Sequence, residues 1–590
     1  MSRIDLASLN AAASAEFIAA LSTIFEHSPW VAEQVCDQRP FASRLHLHAA
    51  MCAVVRRAPA AQQLALVRAH PELAGRAAIR GDLTAESTHE QAGAGLSHCT
   101  PQQYEQLQSM NDAYNARFGF PFVLSVKGHD RESILREFER RLGNDADTEL
   151  QTALREIDRI AAFRLAERVD EPAGSLLLAM ADQLATHTEQ AGALTCTFMT
   201  PAHRAVAAQL RDWMLMAGLD AQIDAIGNVV GRWRCQRPGA RTLLTGSHYD
   251  TVIDGGRYDG RLGILLPIVV ADRLQRRGMS LPYDLEVIGF GDEEGVRFKS
   301  TFLGSSALAG TFNVELLDRA DADGISLRQA LINAGHDPSA IGTLTRDTAG
   351  LLGYVEVHIE QGPVLLEEQR ALGVVTAING SERYRITITG LAGHSGTVPM
   401  HLRRDAAAAA AELVLYVEQR CSQAPGLVGT VGQLAVPNGA INVIPGRCEL
   451  SLDIRAPDDQ LRDAAVADVR ARLDEIARRR RVDVQIERVL RADATPCAPA
   501  LQAALDASIQ RVTASPAPSR HLPSGAGHDA MMMARVTEVG MLFVRCGNGG
   551  ISHHPAETLS ADDADIAACV FADFLLHLPD GDGAMPAITS

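Results

Sequence analysis

At 590 residues the chain is too long for one hydrophobic core, and roughly two to four domains are expected. Its 46% hydrophobic and 22% charged content is that of an ordinary soluble globular protein. A formal net charge of −17 argues against nucleic acid or an anionic membrane surface as a partner, and leaves small anionic substrates open. No run of about 18 uncharged apolar residues is present, so no transmembrane helix is expected. Met1-Ser2-Arg3-Ile4-Asp5 lacks a basic lead into an apolar stretch, and the ten cysteines stand singly without a C-x-x-C pair. Both features point to a reduced, cytoplasmic chain.

Residues 1 to 168 are rich in Ala, Leu, Arg, Glu and Gln, with apolar residues at three- and four-residue steps. The spacing predicts amphipathic helices over Ala11–Phe25, Ser43–Arg57, Pro101–Arg117, Asp130–Leu142 and Thr148–Val169. Thr100-Pro101 and Asp130 read as starts. No stretch alternates convincingly at two residues, so an all-α domain is expected. His70 follows the helical run Gln62–Arg68, and Pro71 in Ala69-His70-Pro71-Glu72-Leu73 stops that helix and holds the imidazole at the turn. Ser87, Glu90 and Gln91 share a helical face at i, i+3 and i+4. They form either a capping box or a ligand-binding edge. Arg117-Phe118-Gly119-Phe120-Pro121-Phe122-Val123 reads from composition as plain core, and Arg164 as a solvated helix residue.

Pro172 and Gly174 mark a linker over 169–180. Helices at Leu176–Ala191 and Thr200–Ala217 and a hairpin over Ala221–Trp233 lead into a short apolar strand that ends at His248-Tyr249-Asp250. His248 and Asp259 are ligand types for a divalent ion. Asp250 suits the second N–H of the His248 ring, and Gly255, Gly256 and Gly260 let the chain double back with Asp259. A second strand, Asp284–Phe290, runs into Asp292-Glu293-Glu294, where one carboxylate can bind metal while its neighbour serves as general base. A third, Gly353–Gly362, carries His358. The strand Val539–Val544 precedes Ser552-His553-His554-Pro555, in which either histidine fits as a ligand. Together these make a two-metal hydrolytic constellation. Between them, strands Tyr384–Thr389 and Glu449–Ile454 and helices Arg404–Gln419 and Asp458–Arg480 read as an inserted α+β unit. The expected plan is an all-α domain (1–168), a linker (169–180), an α/β metallohydrolase domain (181–372 and 492–580) and an inserted dimerisation or lid domain (373–491).

The motifs GSHYDTV, GGRYDG, DEEGVRF, VEVHIEQGPVL, GLAGHSGTVPM, NVIPG, LDIRAP, PSGAGHDA and GISHHPAE resemble the amidase/hydantoinase/carbamoylase branch of the zinc aminoacylase and carboxypeptidase-like superfamily. Within that branch they resemble the allantoate amidohydrolases most. The resemblance implies two divalent ions per subunit, Mn²⁺ or Zn²⁺. His248 and His358 would bind one each at opposite ends, Asp259 would bridge, and Glu294 and His553 would complete the two shells. Glu293 would be the base. Gln361, Asn442, Arg455 and His528 would bind substrate, and His394 would come from the partner in a homodimer built through the inserted domain. N-carbamoyl-L-amino acid hydrolases share nearly the same motifs, and ureidoglycolate amidohydrolase is a further alternative.

His-Pro-Glu-Leu, Ser-x-x-Glu-Gln and Phe-Gly-Phe-Pro-Phe, in that order, resemble the helical decarboxylases of urate breakdown. Those act on 2-oxo-4-hydroxy-4-carboxy-5-ureidoimidazoline (OHCU) and release (S)-allantoin without metal or organic cofactor. The resemblance implies His70 as acid/base, with Pro71, Ser87, Glu90, Gln91, Phe122, Val123 and Arg164 around the substrate. The combination implies a bifunctional enzyme of urate catabolism acting on small ureido carboxylates, allantoate being cleaved to ureidoglycine, ammonia and CO₂. A catalytically silent helical module is the competing reading.

Overall fold

The computed structural model describes residues 3–73, 101–126, 131–235, 237–515 and 517–579, with main chain alone at 101–104 and 131–132. In the helical region, Ser43 accepts the His46 N–H and starts α1 (Arg44–Arg57), α2 (Ala60–Ala69) ends against His70, and Asp145 caps α3 (Ala146–Arg168). Helices Pro101–Phe118 and Arg131–Leu142 also lie within a residue of their expected bounds. Two expectations are corrected. Ala12 and Ala13 are extended and split Ala11–Phe25 into helices Leu6–Ala11 and Ser14–Leu21. Leu9, Phe17 and Leu21 face one core across the break, so the apolar period runs through it unseen. The region also has a short parallel pairing, Ile4-Asp5 with Val169-Asp170, too brief to show alternation.

The chain continues through α4 (Ala173–Ala185) and α5 (Pro201–Met216), the latter capped by Thr200. The hairpin follows as β1 (Asp220–Ile223) and β2 (Val229–Trp233). Then come β3 (Thr242–His248), α6 (Leu262–Arg276), β4 (Asp284–Phe290), β5 (Leu351–Ile359) and β6 (Leu372–Ile378). Among the described residues, nine strands form one mixed sheet whose centre runs β6, Val539–Val544, β5, β3, β4, β2, β1. Val539–Val544, β5, β3 and β4 are mutually parallel. Both faces of this sheet are buried, which is why the strands read as continuous apolar runs. Leu243, Leu285, Val287, Val355 and Val357 meet α4, α5, α6 and the C-terminal helix Ala561–His577, while Leu244, Ile288, Phe290 and Tyr354 meet a second cluster on the other face. At Gly246, with φ +155°, a Cβ would stand 1.9 Å from the Ile288 carbonyl oxygen, so only glycine lets β3 and β4 approach.

The smaller sheet holds β7 (Gly380–Thr389), β8 (Val428–Thr430), β9 (Arg447–Ala456) and β10 (Asp483–Ala492). Helices α7 (Ala406–Cys421) and α8 (Asp459–Arg480), capped by Asp405 and Asp458, cover one face with their own apolar core. The expected insert starts at 373, but β6 pairs with Val539–Val544 and Arg520–Ser524, so its hydrogen bonds place it in the large sheet. An edge strand, β10, was not foreseen; only Val484 and Ile486 pack, half-buried, against the small core, and most of the strand from Glu487 on is exposed. No helix among the described residues is long and apolar enough to cross a membrane.

Candidate active site

The parallel strands deliver their carboxyl ends to one place, where open α/β sheets form their sites. His248 closes β3, Asp292-Glu293-Glu294 follow β4, and His358 lies one residue from the end of β5. Asp259 returns by a turn at Gly260 (φ +64°), where a Cβ would meet the His248 ring at 2.5 Å. His248 Nδ1 lies 3.1 Å from the Asp250 carbonyl oxygen, and His358 Nδ1 lies 2.8 Å from the Ile359 carbonyl oxygen. Both Nε2 atoms face inward, 3.9 Å and 3.3 Å from Asp259 Oδ1, and His358 Nε2 accepts the Gly260 N–H at 3.2 Å. His553 Nε2 lies 2.9 Å from Asp259 Oδ2 and 3.3 Å from Glu294 Oε1. Its neighbour His554 is exposed and accepts the Ala556 N–H.

Two donor groups share Asp259, His248/Asp259/His358 and Asp259/Glu294/His553, and among the described residues His248/Glu293/Glu294 and Glu356/His358/His528 form two more. His248 and His358 therefore lie on the same side of Asp259, not at opposite ends as the motifs implied. The linear order of the ligands says nothing about which strand ends are neighbours. The Asp250 carboxylate, 3.4 Å from His248 Nδ1, has a larger task than the expected ring contact. It accepts the backbone N–H groups of Glu293 and Glu294 at 3.0 and 3.2 Å, locking the second loop to the first. Gln361 Nε2 donates to Asp259 Oδ1 at 2.9 Å.

The electrostatics fit a cation site. Burial, with Glu294, Asp529 and Asp250 nearby, pushes Glu293 well above the usual carboxylate range; burial and Asp259 push Glu294 up to about 7. Burial lowers His358 to about 4, so it is neutral and ready to ligate, while the hydrogen bond to Asp259 raises His553 to about 9. Three imidazoles and crowded buried carboxylates match the His/carboxylate donor set of Zn²⁺ or Mn²⁺, with no thiolate among them.

Two buried carboxylates escaped the sequence reading. Glu557 accepts the N–H groups of Tyr258 and Asp259 at 2.8 and 3.2 Å and the Ser552 hydroxyl at 2.8 Å, clamping the Asp259 turn to the His553 segment. Glu356 accepts the Ser247 and Tyr354 hydroxyls and the Ala530 N–H. Glu557 follows His553 by four residues, the one signal that could have marked it.

The remaining substrate-site expectations divide. His528 is buried, its ring 4.5 Å from that of His358 and its Nε2 2.7 Å from Ser524 Oγ. Arg455 pairs with Asp453 at 2.8 Å and donates to the Gly525 carbonyl at 2.6 Å, joining the small sheet to the His528 loop. His394 and Asn442 are exposed on neighbouring segments, the Ser395 N–H donating to the Asn442 carbonyl at 2.9 Å. Neither belongs to the donor groups. Leu391, Met400, Leu402 and Ile441 around them are more than half exposed.

In the helical region His70 is buried, and its Nδ1–H donates to the Leu66 carbonyl at 3.1 Å. Nε2 is left without a partner among the described residues, and burial lowers the ring to about 4. Pro71 is half-buried beside it. Arg164 is neither solvated nor open: it is buried in an ion pair with Glu26 at 2.7 Å, close enough to His70 to disfavour its protonation. Phe122 stacks on Phe138 at 3.7 Å, and the Val123 carbonyl takes the Arg141 guanidinium at 2.7 Å, so both are tied into core. Ser87, Glu90 and Gln91 lie outside the described residues.

Comparison with known proteins agrees with this division. The family model described as OHCU decarboxylase matches residues 10–166, and that of peptidase family M20/M25/M40 matches residues 244–577. An allantoate deiminase of Arabidopsis thaliana is 42% identical over 426 residues, covering 68% of this chain and 80% of the relative. An N-carbamoyl-L-amino acid amidohydrolase of Geobacillus stearothermophilus is 38% identical, covering 67% of this chain and 95% of the relative. The crystal structure of a hydantoinase/carbamoylase family amidase from Burkholderia multivorans superposes with a TM-score of 0.65 at 32% identity, covering 69% of this chain and 98% of that one. The protein belongs to peptidase family M20/M25/M40 and carries an OHCU decarboxylase domain ahead of its hydrolase region.

Proposed function

We propose that the chain catalyses two steps of ureide breakdown: decarboxylation of OHCU to (S)-allantoin in the helical region, and hydrolysis of allantoate with release of ammonia in the α/β region. The observation that carries the reading is the sharing of Asp259 by two His/carboxylate groups with Glu293 alongside. In this reading His248, His358 and Asp259 would hold one divalent ion, and Asp259, Glu294 and His553 would hold a second. When bound, such ions polarise a carbonyl and lower the pKa of water. Glu293, whose backbone is pinned by Asp250, takes a proton from the attacking water on a carboxylate oxygen and passes it to the departing nitrogen. Gln361, Arg455 and His528 surround the substrate. A second copy, seated on the exposed apolar residues Leu391, Met400, Leu402 and Ile441, supplies His394 and Asn442.

In the helical region the free Nε2 of His70 is the proton-transfer atom, fixed by the Leu66 carbonyl. Arg164, steadied by Glu26, faces the substrate carboxylate. Loss of CO₂ leaves a carbanion that the substrate's own C=N and carbonyl groups delocalise, so the imidazole only has to orient it and protonate one face. This domain is proposed to need no cofactor.

The hydrolytic assignment is tested by ammonia release from allantoate by manganese-loaded protein, expected to vanish in Glu293→Ala with metal retained. The 95% coverage of the carbamoylase relative keeps one rival in view. A preference for N-carbamoyl amino acids, or for ureidoglycolate, in the same assay would move the assignment there. Optically active allantoin formed from OHCU no faster than in buffer would refute the first activity.

A further inference from the structure

Among the described residues, Arg141, Arg261 and Arg462 have no exposed surface at all. Arg141 meets the Glu149 carboxylate at 2.6 Å, and Arg462 meets Asp459 and Asp463 at 2.5 and 2.7 Å. Arg261, which stands at the start of α6, meets no carboxylate. Its Nε–H donates to the Tyr249 carbonyl at 3.2 Å, and both Nη1 and Nη2 are buried without an acceptor among the described residues. A guanidinium cannot shed its proton to escape burial. A core charge left without a counter-charge is strongly unfavourable, so this one calls for a partner from outside the chain.

The groups near the guanidinium do not supply that charge. The Cys196 thiol and the His203 ring are its neighbours, and burial pushes the thiol up to about 12 and the imidazole down to about 4, so both are neutral at pH 7. Two carboxylates are close to Cys196, and both are engaged elsewhere. Asp250 accepts the Glu293 and Glu294 N–H groups at 3.0 and 3.2 Å, and Glu189 accepts the Thr197 hydroxyl at 2.8 Å. Cys196 itself is fixed in place: its N–H donates to Thr251 Oγ1 and its carbonyl accepts the Thr251 N–H, each at 3.0 Å.

We propose that Arg261 holds a buried monatomic anion, chloride, on its Nη1 and Nη2 groups beside the Cys196 thiol. A water molecule satisfies the N–H groups but not the charge, and a wholly enclosed guanidinium leaves a larger oxyanion no approach. The protonated thiol adds a weak S–H donor. The site is distinct from both proposed active sites, yet it backs one of them. Tyr249, whose carbonyl Arg261 holds, stands between His248 and Asp250, and the Arg261 N–H donates to the Asp259 carbonyl at 2.7 Å. The anion therefore steadies the two turns that carry His248 and Asp259.

The test is thermal melting of the metal-loaded full chain in sodium chloride, sodium bromide and sodium methanesulfonate at equal ionic strength. Chloride and bromide are expected to raise the melting temperature saturably, by about 2–6 °C over methanesulfonate. Arg261→Met keeps the length of the side chain and removes its charge, and should lose the halide dependence. Native crystals grown in bromide should show an anomalous-scattering peak in contact with the Arg261 Nη atoms, which decides the matter if the variant does not fold. Equal melting in the three salts, an unchanged halide dependence in folded Arg261→Met, or bromide-grown crystals without that peak would overturn the proposal.

Discussion

In the α/β region the functional side chains arrive from separate strand ends and touch one another, whereas in the helical region one buried histidine stands beside an ion pair that is already satisfied. Carboxylates are crowded at Asp250, Asp259, Glu293 and Glu294 beyond what the three histidines balance, so that region is built to receive cations. Glu26 and Arg164 neutralise each other at 2.7 Å, so the helical region is built to present a neutral imidazole. The contrast teaches that one chain can host two chemistries by setting its buried charge balance differently in each core.

The largest effects should separate the two regions. Asp259→Ala is expected to remove hydrolysis by more than about 10³-fold together with bound metal, and to leave decarboxylation unchanged; a fall in both rates would break the independence of the regions. His70→Ala is expected to lower decarboxylation by about 10²–10⁴-fold without altering ammonia release. Next, Glu557→Gln retains the fold but weakens the clamp on Asp259, and metal affinity measured by competition with a chelator should fall about 10–100-fold. Glu26→Gln removes the carboxylate charge that pairs with buried Arg164. It should destabilise the helical region by about 3–5 kcal/mol in urea unfolding, with metal affinity unaltered.

The smallest effect is a pH dependence. Burial holds the folded His70 near 4 against 6.5 for the free group, so between these values the unfolded chain binds the extra proton. The helical region should therefore lose stability as pH falls from 6.5 toward 4, by up to about 3 kcal/mol. His70→Asn should lose that share of the slope, seen as a smaller shift of the urea midpoint between pH 7 and pH 4.5.

The difference between the regions also governs what could be read from residues alone. His248, Asp259, Glu294, His358 and His553 sit at strand ends marked by apolar runs and glycines, so their convergence was legible in the sequence. Their pairing was not, because strand order in the sheet, with β3 between β4 and β5, has no linear signature. Glu557 and Glu356 were missed because each bonds to backbone N–H groups and hydroxyls that no motif displays. Arg164 stood out only as a choice between a solvated residue and a carboxylate anchor; its partner Glu26 is 138 residues away. The split at Ala12-Ala13 and the membership of β6 fell where an apolar pattern continues across a change of partner.

The account rests most directly on Asp259 serving both donor groups. Titration of the chelator-treated chain with Zn²⁺ or Mn²⁺ should show two equivalents bound, and Asp259→Ala should lose both. Binding of one equivalent or none by the native chain, or undiminished stoichiometry in Asp259→Ala, would contradict it.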